Sequence, residues 1–163
     1  MTDQRSTGFR TAVEADMWAT FSLHGELFAL RVADVQEVMT FQALTPVPLA
    51  PAHIVGLLNL RGQIMAAVDL RRWLQFPDRP NGCGACMIVL KHEGILISLV
   101  VDEIGDVLEL PTSSWREPPD TLAASQRGFI RGICPIDKHV ILGLDIDGLI
   151  SAEERPAQGS RGN

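Results

Sequence analysis

The sequence is short of positive charge. Fourteen Lys and Arg against twenty Asp and Glu leave the 163-residue chain at a formal charge of −6 near neutral pH. That balance argues against an electrostatic footprint for nucleic acid or an anionic lipid surface. Cysteine is scarce as well: three, an odd number, supply no disulfide framework. No apolar run approaches the length of a membrane span, and the first twenty residues lack the continuous apolar segment of a signal peptide. The expected setting is therefore the cytoplasm, with no direct membrane insertion. Phosphate-cradling glycine loops and dinucleotide fingerprints are missing. His24, His53, His92 and His139 sit apart at turns and strand ends, and nothing places a nucleophile beside a base. No catalytic residue, metal or cofactor is expected.

What the chain does have is apolar segments of strand length. With 46% hydrophobic and 21% charged residues it reads as globular. "FSLHGELFAL" gives two strands turning at His24–Gly25, and "CMIVLKHEGILISLVV" gives two more broken at His92–Gly94. "IMAAVDL" and "HVILGLDI" add two strands, the second preceded by a turn near Asp137–Lys138. Expected helices are short: Ala33–Met39, Leu70–Leu74 and Asp147–Ile150. Residues 1–18 and 151–163 read as flexible ends.

The chain also repeats itself. "LRVADVQEV" and "LVVDEIGDV" share a pattern that aligns Val35, Glu37 and Val38 with Ile104, Asp106 and Val107 at an offset of 69 (104 − 35). Arg61–Gly62 matches Arg131–Gly132 at 70 (131 − 61), and Asp69 matches Asp145 after a longer turn. The expectation is a mainly β domain over 19–150: two five-stranded barrel lobes, about 19–78 and 86–150, around a shared hydrophobic core.

The segments "VADVQEVM", "LTPVPLAPAHIVGLLNLRGQIMAAVDLRRWL", "LVVDEIGDVLEL" and "FIRGICPID" resemble the CheW family, the receptor–kinase coupling adaptors of bacterial chemotaxis. The resemblance runs from about Thr20 to Ile150. It implies two SH3-like lobes and a non-enzymatic scaffold. The implied partners are the regulatory domain of the histidine kinase CheA and the helical hairpin at the tip of a chemoreceptor, with ring assembly alongside the kinase. A CheW-like adaptor of another chemosensory pathway, twitching motility or diguanylate-cyclase signalling, is the nearest alternative. Ser98 departs from the family's usual Gly and is expected close to the receptor groove.

Arg61 stands between the apolar runs Ile54–Leu60 and Ile64–Val68, where an unpaired buried charge would be costly. It either fastens its turn, to Asp69, Glu37 or carbonyls, with Gly62 at a positive-φ corner, or presents its planar fork to a partner. By resemblance Arg61 and Gly62 face the kinase, while Val35, Glu37, Ile104 and Val107 line the receptor groove, the mode being helix-in-groove. On a helical turn Val35, Val38 and Met39 would share a face, with Glu37 aside. Arg71–Arg72 reads as a solvated pair, and the three tryptophans as core or interface plugs. "CGAC" offers a rival class, a Cys83/Cys86 thiol or zinc protein, but no second ligand pair accompanies it.

Overall fold

The computed structural model describes residues 15–80 and 84–154. Ten strands build it: β1 (Ala15–Leu23), β2 (Glu26–Arg31), β3 (Val35–Thr40), β4 (Ile54–Leu60), β5 (Gln63–Asp69), β6 (Cys86–His92), β7 (Ile95–Val101), β8 (Glu103–Pro111), β9 (Ile130–Ile136) and β10 (His139–Leu144). Short helices follow: α1 (Leu70–Trp73), α2 (Ala124–Arg127) and α3 (Ile146–Glu154). Single 3₁₀ turns occupy Val32–Asp34 and Thr112–Ser114.

The strands form two five-stranded sheets, ordered β8-β1-β2-β10-β9 (sheet one) and β3-β6-β7-β5-β4 (sheet two). The two orders are one plan. Phe28 of β2 pairs with Leu142 of β10, and Ile97 of β7 pairs with Ala66 of β5. The first repeat's β1–β3 thus meet β6–β8 at an offset of 69 (97 − 28), and β4–β5 meet β9–β10 at 76 (142 − 66). Each sheet closes on itself. Past β3 the chain returns to β4 through the Thr45–Leu57 bridge, and past β8 it returns to β9 through Arg116–Ile133. Glycine makes room for both straps: a Cβ on Gly56 would meet Leu44 Cβ at 2.8 Å, and one on Gly132 would meet the Arg116 carbonyl at 2.9 Å.

The expected lobe boundaries are corrected. The lobes are not the sequence halves 19–78 and 86–150, because the halves exchange hairpins. β1–β2 pair into the sheet of β8–β10, and β6–β7 into the sheet of β3–β5. The chain steps across at Val32–Asp34 and again at Asp102. A sequence period measures the repeat, not which copy's strands share hydrogen bonds. The ends differ too: 15–18 already belong to β1 and 151–154 continue α3, while the rest of both expected tails lies outside the described residues.

Three apolar clusters follow from this plan. Trp18, Ala29, Leu110, Cys134 and Ile141 fill barrel one, and Leu58, Met65, Ala67, Met87, Val89 and Val100 fill barrel two. The largest cluster joins the barrels, with Phe21, Phe28, Leu90, Ile97, Leu99, Leu144 and Leu149 among its members. The shared hydrophobic core is present as expected.

Candidate protein-interaction site

Arg61 and Gly62 are the two central residues of the β4–β5 hairpin, between the paired Leu60 and Gln63. Both have positive φ, 52° and 86°, as the mirror-image two-residue turn requires. Asn59 Oδ1 accepts from the Gly62 N–H at 3.1 Å and holds the corner. The Arg61 guanidinium then reaches β3, where Nη1 and Nη2 donate to Glu37 Oε1 and Oε2 at 2.7 and 2.8 Å. This is a two-pronged pair. The Arg61 hydrogen bond pulls the Glu37 carboxyl below its usual range, and Glu37 in turn raises the guanidinium. Arg61 remains 67% exposed at its side chain against 27% for Glu37, so one face of the fork stays open to solvent.

Two residues assigned to different partners therefore touch each other. Glu37 is one of the partners expected for a turn-fastening Arg61, but the expected helix Ala33–Met39 is corrected. Beyond Asp34 the segment is strand β3, and burial alternates: Val35, Glu37 and Met39 are half-buried while Gln36, Val38 and Thr40 are exposed. The ladder shifts between Val35 and Glu37, so Val35 turns to the shared core with its partner Leu90, while Glu37 takes the face of its partner Val89 and of Met39, toward barrel two.

Val35 and Ile104 occupy equivalent places. Val35 pairs with Leu90 and Ile104 with Phe21, both just before a shift in the ladder, and both side chains pack on the shared core. Val38 and Val107 are equivalent as well and stand 44% and 55% exposed on the edge strands. Ile64, two residues after Gly62, is 65% exposed. The Arg61 turn thus has an exposed apolar neighbour. Ser98 is corrected: it lies on β7, is fully buried, and its hydroxyl has no hydrogen-bond partner among the described residues. Its equivalent, Ala29, fills barrel one, so Ser98 faces barrel two's interior rather than a groove.

Residues 18–154 match the family model for the CheW-like domain. The chain belongs to the CheW-like family. The chemotaxis protein CheW of Rhizobium meliloti (strain 1021) is 28% identical over 137 residues, covering 84% of this chain and 88% of that protein. Its counterpart in Klebsiella aerogenes is 28% identical over 134 residues, covering 82% and 81%. The crystal structure of the scaffolding protein TtCheW from Thermoanaerobacter tengcongensis matches with a TM-score of 0.73 at 29% identity, over 81% of this chain and 90% of that one. The two-lobed fold is that of a CheW-like protein.

Within this CheW-like chain, two polar clusters at the crossovers escaped the sequence reading. At the β7–β8 crossover, Asp102 accepts from Arg71 Nε and Nη2 at 2.9 and 2.6 Å, from Arg79 Nη2 at 3.0 Å and from the His24 N–H at 2.9 Å. Burial pushes its carboxyl up, but Arg71, the His24 N–H and Arg79 outweigh that and hold it at about 2. Arg71 is buried, not a solvated partner of Arg72. At the other crossover, His92 Nδ1 lies 3.1 Å from Asp34, and Nε2 lies 2.5 Å from Asp147 of α3. The Asp34 bond raises the imidazole above its ordinary value against a smaller effect of burial, with Asp147 adding to the rise.

The matched dipeptides Arg61–Gly62 and Arg131–Gly132 are not structural equivalents. Arg131–Gly132 lie inside β9, and at the offset of 76 the true counterpart of the Arg61 turn is Asp137–Lys138. Asp69 and Asp145 do correspond (145 − 69 = 76): Asp69 caps α1 through the Arg71 N–H, and Asp145 accepts from the Gly148 N–H. Cys86 opens β6 and Cys134 is buried in barrel one, both as free thiols, while Cys83 lies outside the described residues. Burial raises the Cys134 thiol, against a lowering by Arg116. No helix among the described residues is long and apolar enough to cross a membrane.

Proposed function

We propose that this CheW-like chain is a non-enzymatic adaptor of chemotaxis signalling, coupling a chemoreceptor tip to the regulatory domain of a CheA-type histidine kinase. Arg61 and Gly62 form the kinase-facing corner, with Ile64 and Val38 as its apolar fringe. Val35, Glu37, Ile104 and Val107 form the receptor-facing set. The observation that carries this reading is the two-pronged Arg61–Glu37 bond, with Arg61 left mostly exposed. It supports a corner held from one side by Glu37 while the rest of the guanidinium remains accessible to a partner's carboxylate or carbonyl. The adaptor acts by geometry. It holds kinase and receptor in one frame, and repeated contacts with the kinase extend into rings through multivalency.

The experiment is a pull-down of three folded variants against purified kinase regulatory domain and a receptor signalling fragment. Arg61→Ala should keep its circular dichroism spectrum and lose the kinase. Ile104→Asp and Val35→Asp should lose the receptor and keep the kinase. Kinase binding by folded Arg61→Ala at wild-type strength overturns the corner assignment. Receptor binding undisturbed in both aspartate variants overturns the groove assignment.

A further inference from the structure

A cleft of about 370 Å³ opens on barrel one where β1, β2, β9 and the strap after Thr112–Ser114 come together. Its base is aromatic. Trp18 is 3% exposed, and Trp115 packs on it with ring centroids 4.6 Å apart. The Arg131 guanidinium lies 5.9 Å from the Trp18 ring centroid, a cation–π distance. Arg31 and Arg116 line the same cleft. Two carboxylates accompany these three cations: Asp16, bonded to Arg31 at 3.3 Å, and Glu117, which is exposed.

The cleft has more donors than acceptors. Among the described residues the guanidiniums of Arg116 and Arg131 have no carboxylate within ion-pair distance. The indole N–H groups of Trp18 and Trp115 are buried with no acceptor among the described residues. Unmet buried donors are unusual in a folded protein, and here two of them sit in one wall. The strap is also anchored: the Arg116 N–H donates to the Ile133 carbonyl at 2.8 Å, and the return bond to the Arg116 carbonyl is 2.9 Å. Trp115 and Arg116 are therefore carried on ladder-bonded backbone.

We propose that this cleft binds a small planar organic anion, a single ring bearing a phosphate or carboxylate. Arg116 and Arg131 hold the oxyanion, whose acceptor oxygens suit a guanidinium fork, and the half-buried Trp115, backed by the buried Trp18, receives the flat ring. The volume falls within the range of small-molecule sites and accommodates about a dozen non-hydrogen atoms. This inference concerns barrel one and stands apart from the Arg61 corner on barrel two.

The three indole N–H signals of a ¹⁵N-labelled sample report on it directly, because Trp73 packs against the shared core and serves as the control. Phenyl phosphate should shift the Trp18 and Trp115 signals saturably below about 10 mM, while benzyl alcohol, with the ring and no charge, should leave them still. Phenylacetate tells a carboxylate from a phosphate preference. In the folded double variant Arg116→Gln, Arg131→Gln the affinity for phenyl phosphate should fall about tenfold or more. The Arg116→Lys, Arg131→Lys form, which keeps the charge and loses the fork, should fall less. Absence of saturation, an equal response to benzyl alcohol, or wild-type affinity in either double variant overturns the proposal.

Discussion

Asp102→Asn removes one charge from the place where the chain passes from sheet two to sheet one, and its cost can be worked from the structure. The carboxyl sits at about 2 against 3.8 for the free group. A difference of 1.8 units (3.8 − 2) corresponds to about 2 kcal/mol of folding free energy held by the ionised form. The side chains involved are largely shielded, with 9% exposure for Arg71 and 19% for Asp102. Losing the carboxylate also weakens the two-pronged bond from Arg71 and takes from Arg79 one of its two carboxylates, which adds to the loss. The variant should be less stable by about 2–4 kcal/mol at pH 7. Because the folded-state value is lowered, the contribution is complete above about pH 4 and disappears as pH falls through about 2. Urea denaturation of both proteins from pH 7 to pH 2.5, followed by circular dichroism, should therefore show a gap that narrows only at the acid end. Arg71→Gln should lose a similar amount, and the double variant much less than the sum. A gap at pH 7 under about 0.5 kcal/mol would refute the reasoning, as would one that stays constant into acid, which would make the loss steric rather than ionic.

Ser98→Ala removes a fully buried hydroxyl that has no partner among the described residues and should raise stability by about 1 kcal/mol in the same denaturation assay. His92→Gln should flatten the dependence of stability on pH across pH 6–8. With a raised folded-state value, the imidazolium's contribution is full below the unfolded value of about 6.5 and is lost as pH rises through the folded one; it is expected to be under about 1 kcal/mol at this partly open site.

The repeat was legible because apolar alternation and acidic positions survive in both copies: Val35 and Ile104 aligned by letters also align by ladder partners. Arg131–Gly132 misled for the opposite reason. Two matching letters at a similar offset fell inside a strand in one copy and on a turn in the other, and only the sheet register separates them. The false helix at Ala33–Met39 has a physical source. Val32, Val35, Val38 and Met39 mimic a helical stripe, and the charged Glu37 on the half-buried face hides the two-residue period. That charge is tolerated there because Arg61, 24 residues away, meets it. Arg71 was misread similarly. Its partner Asp102 is 31 residues distant, and no local pattern announces a pair brought together by a crossover.

The exchange of hairpins bears directly on what an adaptor must do. If each sheet were one sequence half, the barrels could rock about a single connecting segment between β5 and β6. Instead β5 and β6 share sheet two, the chain crosses between sheets at Asp34 and at Asp102, and each crossing is fastened by side chains: Asp102 to the β1–β2 turn and α1, Asp34 to His92 in β6 and onward to α3. Val35 and Ile104 are the first strand residues beyond those two fastenings or within two positions of them. The residues assigned to the receptor thus begin where the barrels are pinned together, and Glu37, two residues further, is bonded to the corner assigned to the kinase. A displacement at the strands proposed to meet the receptor has a short, covalently and ionically continuous route to Arg61. The interlocked core opposes the alternative, in which the barrels slide and absorb the motion between them.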